Sequence, residues 1–251
     1  MSPIPQGANG PLAPASGRTL IERTYERLRD DILDGVLAAD EKLRVQHLKA
    51  RYDASAGTLR EAITRLVSDA LVIAEGQRGF RVAPIAAADF ADLTRLRIHI
   101  EIDALRQSMR NGGAQWRENL RAVWVELSAL EQPLRPENAK AWEKLNTAFH
   151  ETLLAGCDSP WTLRVLRLLA RQSERYRRFA ISRVAVGRDV HAEHREIYES
   201  VLADNELRAA LALEAHIAWT AELIKRKLEG TLAIDAAQQE PQPNSPLRPR
   251  E

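Results

Sequence analysis

Cysteine is nearly missing: the 251-residue chain holds one, Cys157. A lone thiol excludes an internal disulfide and any metal site built from thiolates. It suits a reducing compartment, so a cytoplasmic location is expected. Long apolar runs are missing as well. No segment approaches the roughly 20 apolar residues that a bilayer-spanning helix needs, and no membrane partner is expected. The first residues, MSPIPQGANGPLAPASG, lack a basic start and an apolar centre, which excludes a secretory signal. Charge of one sign is not in excess either. With 36 Lys and Arg against 35 Asp and Glu, the net charge is +1, so only the local distribution of charge can point to a partner. No internal repeat is visible.

What is present suits a globular chain: 45% of residues are apolar and 28% charged. Residues 1–17 and 231–251 are rich in Pro, Ala, Gly, Ser and Gln, and are expected to be a disordered arm and tail. Residues 19–35 pattern as a helix with Leu20, Tyr25, Leu28, Ile32 and Leu33 on one side and Gly35 as its stop. A shorter helix follows near Val45 to Tyr52. A third carries Leu59, Ile63 and Leu66 at helical spacing, with Ser55 as its N-cap. The β-prone runs LVIA and FRVA flank EGQRG and predict a hairpin. Beyond Asp89 the pattern is wholly helical, in six segments near 88–111, 114–132, 137–156, 160–181, 188–203 and 205–229. The fold expected is mostly α: an N-terminal winged helix-turn-helix over 18–84, then an all-α antiparallel bundle of about six helices over 85–230.

A winged helix meets DNA with its third helix and its hairpin. Gly76 and Gly79 allow a tight turn and close backbone approach, and Arg78 and Arg81 supply cations for phosphates. From Lys42 to Arg65, Lys42, Arg44, Lys49, Arg51, Arg60 and Arg65 face only Asp53 and Glu61, while the first helix carries an acidic DDILDG. Solvated arginines on a small module concerned with protein contacts would give a similar composition. The motif detail goes further. ILDGVL, the recognition-helix stretch LREAITRL and the wing RGFRV, in order over residues 24–82, resemble the DNA-binding domain of the GntR family of bacterial transcription regulators. A narrower likeness, to the CsiR type within that family, fits LRVQHLKARYDASAGTLREAI and QRGFRVAP. The resemblance implies that Ser55, Thr58 and Arg60 face DNA, with Gln46 and the wing assisting. Three departures are visible: Ala39-Asp40 replaces the usual Pro-Gly, Ala56 replaces an arginine after the serine, and Gln46 stands where a basic residue is common. Each bidentate guanine contact is worth about 1–3 kcal/mol, so the operator should differ from the one common in the family.

Histidines stand at 47, 99, 150, 191, 194 and 216. Asn146 and His150 are one helical turn apart and project from one face. His194 and His216 lie at similar distances on either side of the ADN turn, so an antiparallel helix pair brings them to one height. Spacing leaves two readings open: satisfied packing histidines, or a three-histidine metal site with open positions. LTRLRIHIEIDAL, NTAFHETLL and HAEHREIYESVLADNELRAALALEAHI resemble the FCD effector-binding domain of FadR-type GntR regulators. That resemblance implies a divalent metal, zinc first with nickel or manganese as alternatives, held by Asn146, His150, His194 and His216. Asn146 is a neutral ligand where aspartate would be stronger. His191 is read as an extra pocket group or simply a residue near a helix start.

Arg97 and Glu101, a turn apart on a helix that is apolar nearly all round, are either an ion pair or the grip on an effector carboxylate. Arg171 is a further candidate effector contact, although the stripe Arg164, Arg167 and Arg171 also reads as a solvated face. The five tryptophans are expected to pack mostly in the core. The function expected is a metabolite-responsive repressor, not an enzyme. It would bind double-stranded operator DNA as a homodimer and sense a small carboxylate. Its competitors are a DNA-binding protein whose bundle only dimerises, and a histidine-site metalloenzyme for which no nucleophile motif is found.

Overall fold

The computed structural model describes residues 19–181 and 189–239. The expected N-terminal arm, the RVAVG break and the last part of the expected tail lie outside the described residues. Helix α1 (Leu20–Leu33) starts with a reciprocal capping box between Thr19 and Glu22 and buries Leu28, Ile32 and Leu33. Strand β1 (Lys42–Leu43) leads into α2 (Val45–Tyr52), which ends on Asp53 in the left-handed region. Helix α3 (Ala56–Ser68) is capped by Ser55, whose hydroxyl accepts from the Thr58 amide at 3.1 Å. Strands β2 (Val72–Ala74) and β3 (Phe80–Val82) form the hairpin.

The hairpin is not alone. The sheet has three strands in the order β1-β3-β2, with Lys42 opposite Arg81 and Leu43 opposite Phe80. The two-residue β1 is too short to leave an alternating pattern, so the sequence showed only β2 and β3. Leu28, Leu43, Leu59, Ile63, Leu66 and Val82 meet in one core, so helices and sheet are welded into a single unit.

The second unit is helical throughout: α4 (Ala87–Asn111), α5 (Ala114–Glu131), α6 (Ala139–Leu154), α7 (Pro160–Ile181), α8 (Val190–Leu202) and α9 (Glu206–Gln239). All six expected segments are present among the described residues. Helix α9 runs past residue 230, so the first part of the expected tail is helical up to Gln239. The bundle core joins Leu105, Leu120, Leu127, Phe149, Val201 and Leu213. A second patch of Phe90, Tyr176, Ile224 and Leu228 holds the starts and ends of α4, α7 and α9 together. After α6 the chain makes a short 3₁₀ turn in which Gly156 lies directly on α4. A Cβ at that position would sit 3.0 Å from the Ser108 carbonyl oxygen. Trp116 is buried, but Trp161 and Trp219 are 73% and 67% exposed, so the expectation of mainly core tryptophans fails for these two.

Candidate functional site

Gln46, Gly57, Arg60 and Thr64 are exposed while Leu59, Ala62, Ile63 and Leu66 are buried, so α3 shows solvent a face bearing Arg60. Ser55 and Thr58 stand at its start with their hydroxyls 2.9 Å apart. The amide groups of a helix N-terminus favour anions, which suits a phosphate here. In the wing, Gly76 (φ +58°) and Gly79 (φ +97°, ψ −136°) take backbone conformations that suit glycine. The amide of Glu75 donates to the Gly79 carbonyl at 2.8 Å. Arg78 is exposed at the tip. Arg81 differs from the expectation of a phosphate contact. Its Nε donates to Glu75 at 2.7 Å and its Nη1 to the Asp40 carbonyl at 2.6 Å, so its charge fastens the wing to the loop before β1.

In the bundle, His150 comes from α6, His194 from α8 and His216 from α9. One ligand atom of each lies within 4.8 Å of the others. His194 is fully buried and its Nδ1 lies 2.8 Å from Glu131 at the end of α5. A carboxylate only accepts, so Nδ1 carries the hydrogen and Nε2 keeps its lone pair. That Nε2 is buried with no hydrogen-bond partner. His216 Nδ1 pairs in the same way with Glu193 at 2.8 Å. A carboxylate behind each imidazole orients the ring and raises its basicity, as in metal-ligating histidines. Burial first, and then the neighbouring His216 and His194, hold His150 well below the ordinary histidine range, so its ring is neutral. The Asn146 Oδ1 is buried and unpartnered. A neutral His150 ring, a bare His194 Nε2 and an orphaned carbonyl oxygen fit a divalent metal better than a closed hydrogen-bond network.

Two cavities, of about 480 and 650 Å³, meet at this cluster and share Arg97, Asn146, His150 and Arg177. Arg97 Nε donates to Glu101 at 2.7 Å, and both side chains are buried. The pair is the ion pair of the first reading, and it also lines the smaller cavity. Arg171 is not at either cavity. It is exposed on α7 and pairs with Asp69 at the end of α3, because its position faces the N-terminal unit. Arg177 is the cavity arginine of α7, paired with Glu143. It lies one heptad beyond Ala170, on the face carrying Leu163 and Leu166, and that periodicity could have revealed it. His191 stands outside the three-histidine cluster, stacked on Trp124 with its Nδ1 3.4 Å from Glu131.

Helix α7 also carries the junction between the units. Arg171 and Gln172 hold Asp69, Glu174 holds Arg29, Arg175 donates to the Ala83 carbonyl after β3, and Arg178 holds Asp34 at 2.9 Å.

A winged helix joined mainly through α7 to a cavity-bearing helical bundle is the architecture of a two-unit DNA-binding protein. Residues 20–82 match the family "Bacterial regulatory proteins, gntR family" and residues 92–218 match the FCD domain. The chain belongs to the GntR family of transcription regulators, with an FCD domain, and its relatives are regulators rather than enzymes. It is 40% identical to the HTH-type transcriptional regulator BphR of Paraburkholderia xenovorans strain LB400, over 86% of this chain and 89% of that one. It is 31% identical to the HTH-type transcriptional repressor GlaR of Escherichia coli strain K12, over 82% and 96%. Among solved structures, a GntR family member from Pseudomonas syringae pv. tomato str. DC3000 aligns at 25% identity over 84% of this chain and 86% of that one, with a TM-score of 0.53. McbR/YncC of Escherichia coli shares the fold at 15% identity and a TM-score of 0.68, over 84% and 100%. The family implies DNA binding by the first unit and a small-molecule effector for the second. Among the described residues no helix is long and apolar enough to cross a membrane.

Proposed function

We propose that the chain is a repressor that binds a pseudo-palindromic operator as a homodimer, one winged helix to each half-site, and leaves it when a small carboxylate enters the bundle. Arg60, Thr58, Ser55 and Gln46 read or position the DNA, and Gly76, Arg78 and Gly79 bring the wing to the backbone. His150, His194, His216 and Asn146 hold a divalent ion, zinc in the first instance. When bound, that ion supplies open positions for a carboxylate oxygen. Arg97 and Arg177 place their guanidinium groups along the effector, and Glu101 and Glu143 fix those groups before it arrives. The effector acts only by favouring one placement of the heads over another.

The observation that carries this reading is the buried cluster of His150, His194 and His216, in which the carboxylate-backed His194 leaves Nε2 unpartnered, together with an equally unpartnered Asn146 oxygen on a residue that, like His150, lines both cavities. The name repressor belongs to GlaR, and it supports the sign proposed here.

The test combines metal analysis of the purified full chain with retention of the DNA upstream of its own gene, in the presence of a series of organic acids. About one zinc per chain, DNA retained at modest salt, and release by an acid only from metal-loaded protein are expected. Loss of DNA retention at modest salt overturns the regulator reading. Release that is indifferent to a chelator overturns the metal's role.

A further inference from the structure

Helix α1 ends in Asp30, Asp31 and Asp34, with no basic residue in its last turn. Carboxylates at a helix C-terminus oppose the helix dipole, so this end needs cations from elsewhere. Asp31 finds its cation inside its own unit, at Arg51 (3.0 Å), and also accepts from the Tyr52 hydroxyl (2.5 Å). Asp34 does not. Its Oδ1 meets Arg178 of α7 at 2.9 Å and its Oδ2 meets Lys140 of α6 at 3.2 Å. Asp30 stands 4.0 Å from Arg178, and Glu174 lies 3.0 Å from it on the other side.

The place of this clamp gives it meaning. Asp34, Lys140 and Arg178 line the cavity of about 650 Å³ that Arg97, His150 and His216 also line. A carboxylate of the DNA-binding unit therefore lies across a two-cation site on the wall of the bundle's own cavity. Arg135 also lines this cavity, while Asp34, Asp30 and Glu174 face Arg178 and Asp189 stands in the same lining, so an anion reaches the two cations only by displacing a carboxylate already there. The Lys140 arm of the clamp is weakly held, since Lys140 is 73% exposed and Asp34 36%, whereas Arg178 is 18% exposed. Exposed pairs contribute little, so another anion can replace Asp34 without rebuilding the core.

We propose that Lys140 and Arg178 form a carboxylate subsite at the mouth of the effector cavity, which Asp34 fills as an internal stand-in. An anionic effector and the end of α1 then compete for the same two cations, and effector binding frees α1. This rests on reading the bundle as an effector-binding domain, and it adds where the signal leaves the cavity.

The test uses the full-length protein and sodium acetate as the probe, titrated against sodium chloride at constant ionic strength. Wild type, Asp34→Asn and the double variant Asp34→Asn/Lys140→Ala are compared, each zinc-loaded and metal-stripped. Acetate binding is followed by NMR line broadening, and protection of residues 29–37 by amide hydrogen exchange. The tethered carboxylate competes at an effective concentration on the order of millimolar, so Asp34→Asn should bind acetate about tenfold more tightly, with or without zinc. Adding Lys140→Ala should return affinity to the wild-type value. In wild type, acetate should raise exchange in residues 29–37, and in Asp34→Asn that exchange should be high from the start. Equal acetate affinity in wild type and Asp34→Asn overturns the proposal, as does unchanged protection of residues 29–37 at saturating acetate. Failure of the metal reading shows itself separately, as the lack of any zinc-dependent component in all three proteins.

Discussion

Four imidazoles lie near one another in the bundle, and their neighbours give three of them different work from the fourth. His150, His194 and His216 converge, whereas His191 stacks on Trp124 and leans on Glu131. The convergence was legible in the sequence because helical rise is regular: counting residues from the ADN turn placed His194 and His216 side by side. The carboxylates behind them were not. Glu131 is 63 positions from His194 and belongs to another helix, so no spacing links the two. Glu193 was visible as a neighbour of His194 but serves His216. Glu131→Gln keeps the shape and removes the charge that polarises the ring. Zinc affinity should fall about 10–100-fold, measured against a competing chelator, with the melting temperature of the metal-free protein recorded as a check on folding. An unchanged zinc affinity would mean that His194 is not a ligand.

At the scale of elements, the wing is set by its backbone. Gly79 at φ +97° and ψ −136° is in a region that other residues rarely enter, and a Cβ there would meet nothing within 4 Å. The demand is therefore conformational and not steric. Gly79→Ala should cost about 1–3 kcal/mol in the N-terminal unit and weaken DNA binding, read by thermal melting and by DNA titration, while zinc binding by the bundle stays unchanged. The glycine spacing in EGQRG foretold the turn, but the fate of Arg81 was hidden. Its acceptor is the backbone of Asp40, 41 residues earlier, which reaches the wing only because β1 adds itself to β3. The limits between α4 and α5, α6 and α7, and α8 and α9 were read well because Gly112, Asp158 and the ADN turn break the apolar periodicity. The continuation of α9 to Gln239 was missed because residues 231–239 carry composition typical of a tail.

For the whole molecule, α7 carries most of the contacts that hold the halves together. Its arginines looked like a solvated stripe because a helix with two separate partners shows no single polar face. In the fold one side lines the cavity and the other grips the ends of α1, α3 and β3. Arg175 is the most buried of these junction arginines, at 4% exposure, and it donates to the carbonyl of Ala83. Arg175→Met fills similar space but leaves that acceptor bare, a loss of about 1.5–3 kcal/mol. The melting temperature should drop by about 4–8 °C in calorimetry, with the N-terminal unit unfolding first. Gly156 sets another long-range dimension. It rests against Ser108 and lines the same cavity as Arg97 of α4 and His150 of α6, and so gauges the gap between those two walls. A methyl group there would act as a shim, prising the two walls apart by a few tenths of an ångström while every donor stays in place. The spacing of the cavity walls can therefore be reset at a position that carries no polar side chain of its own.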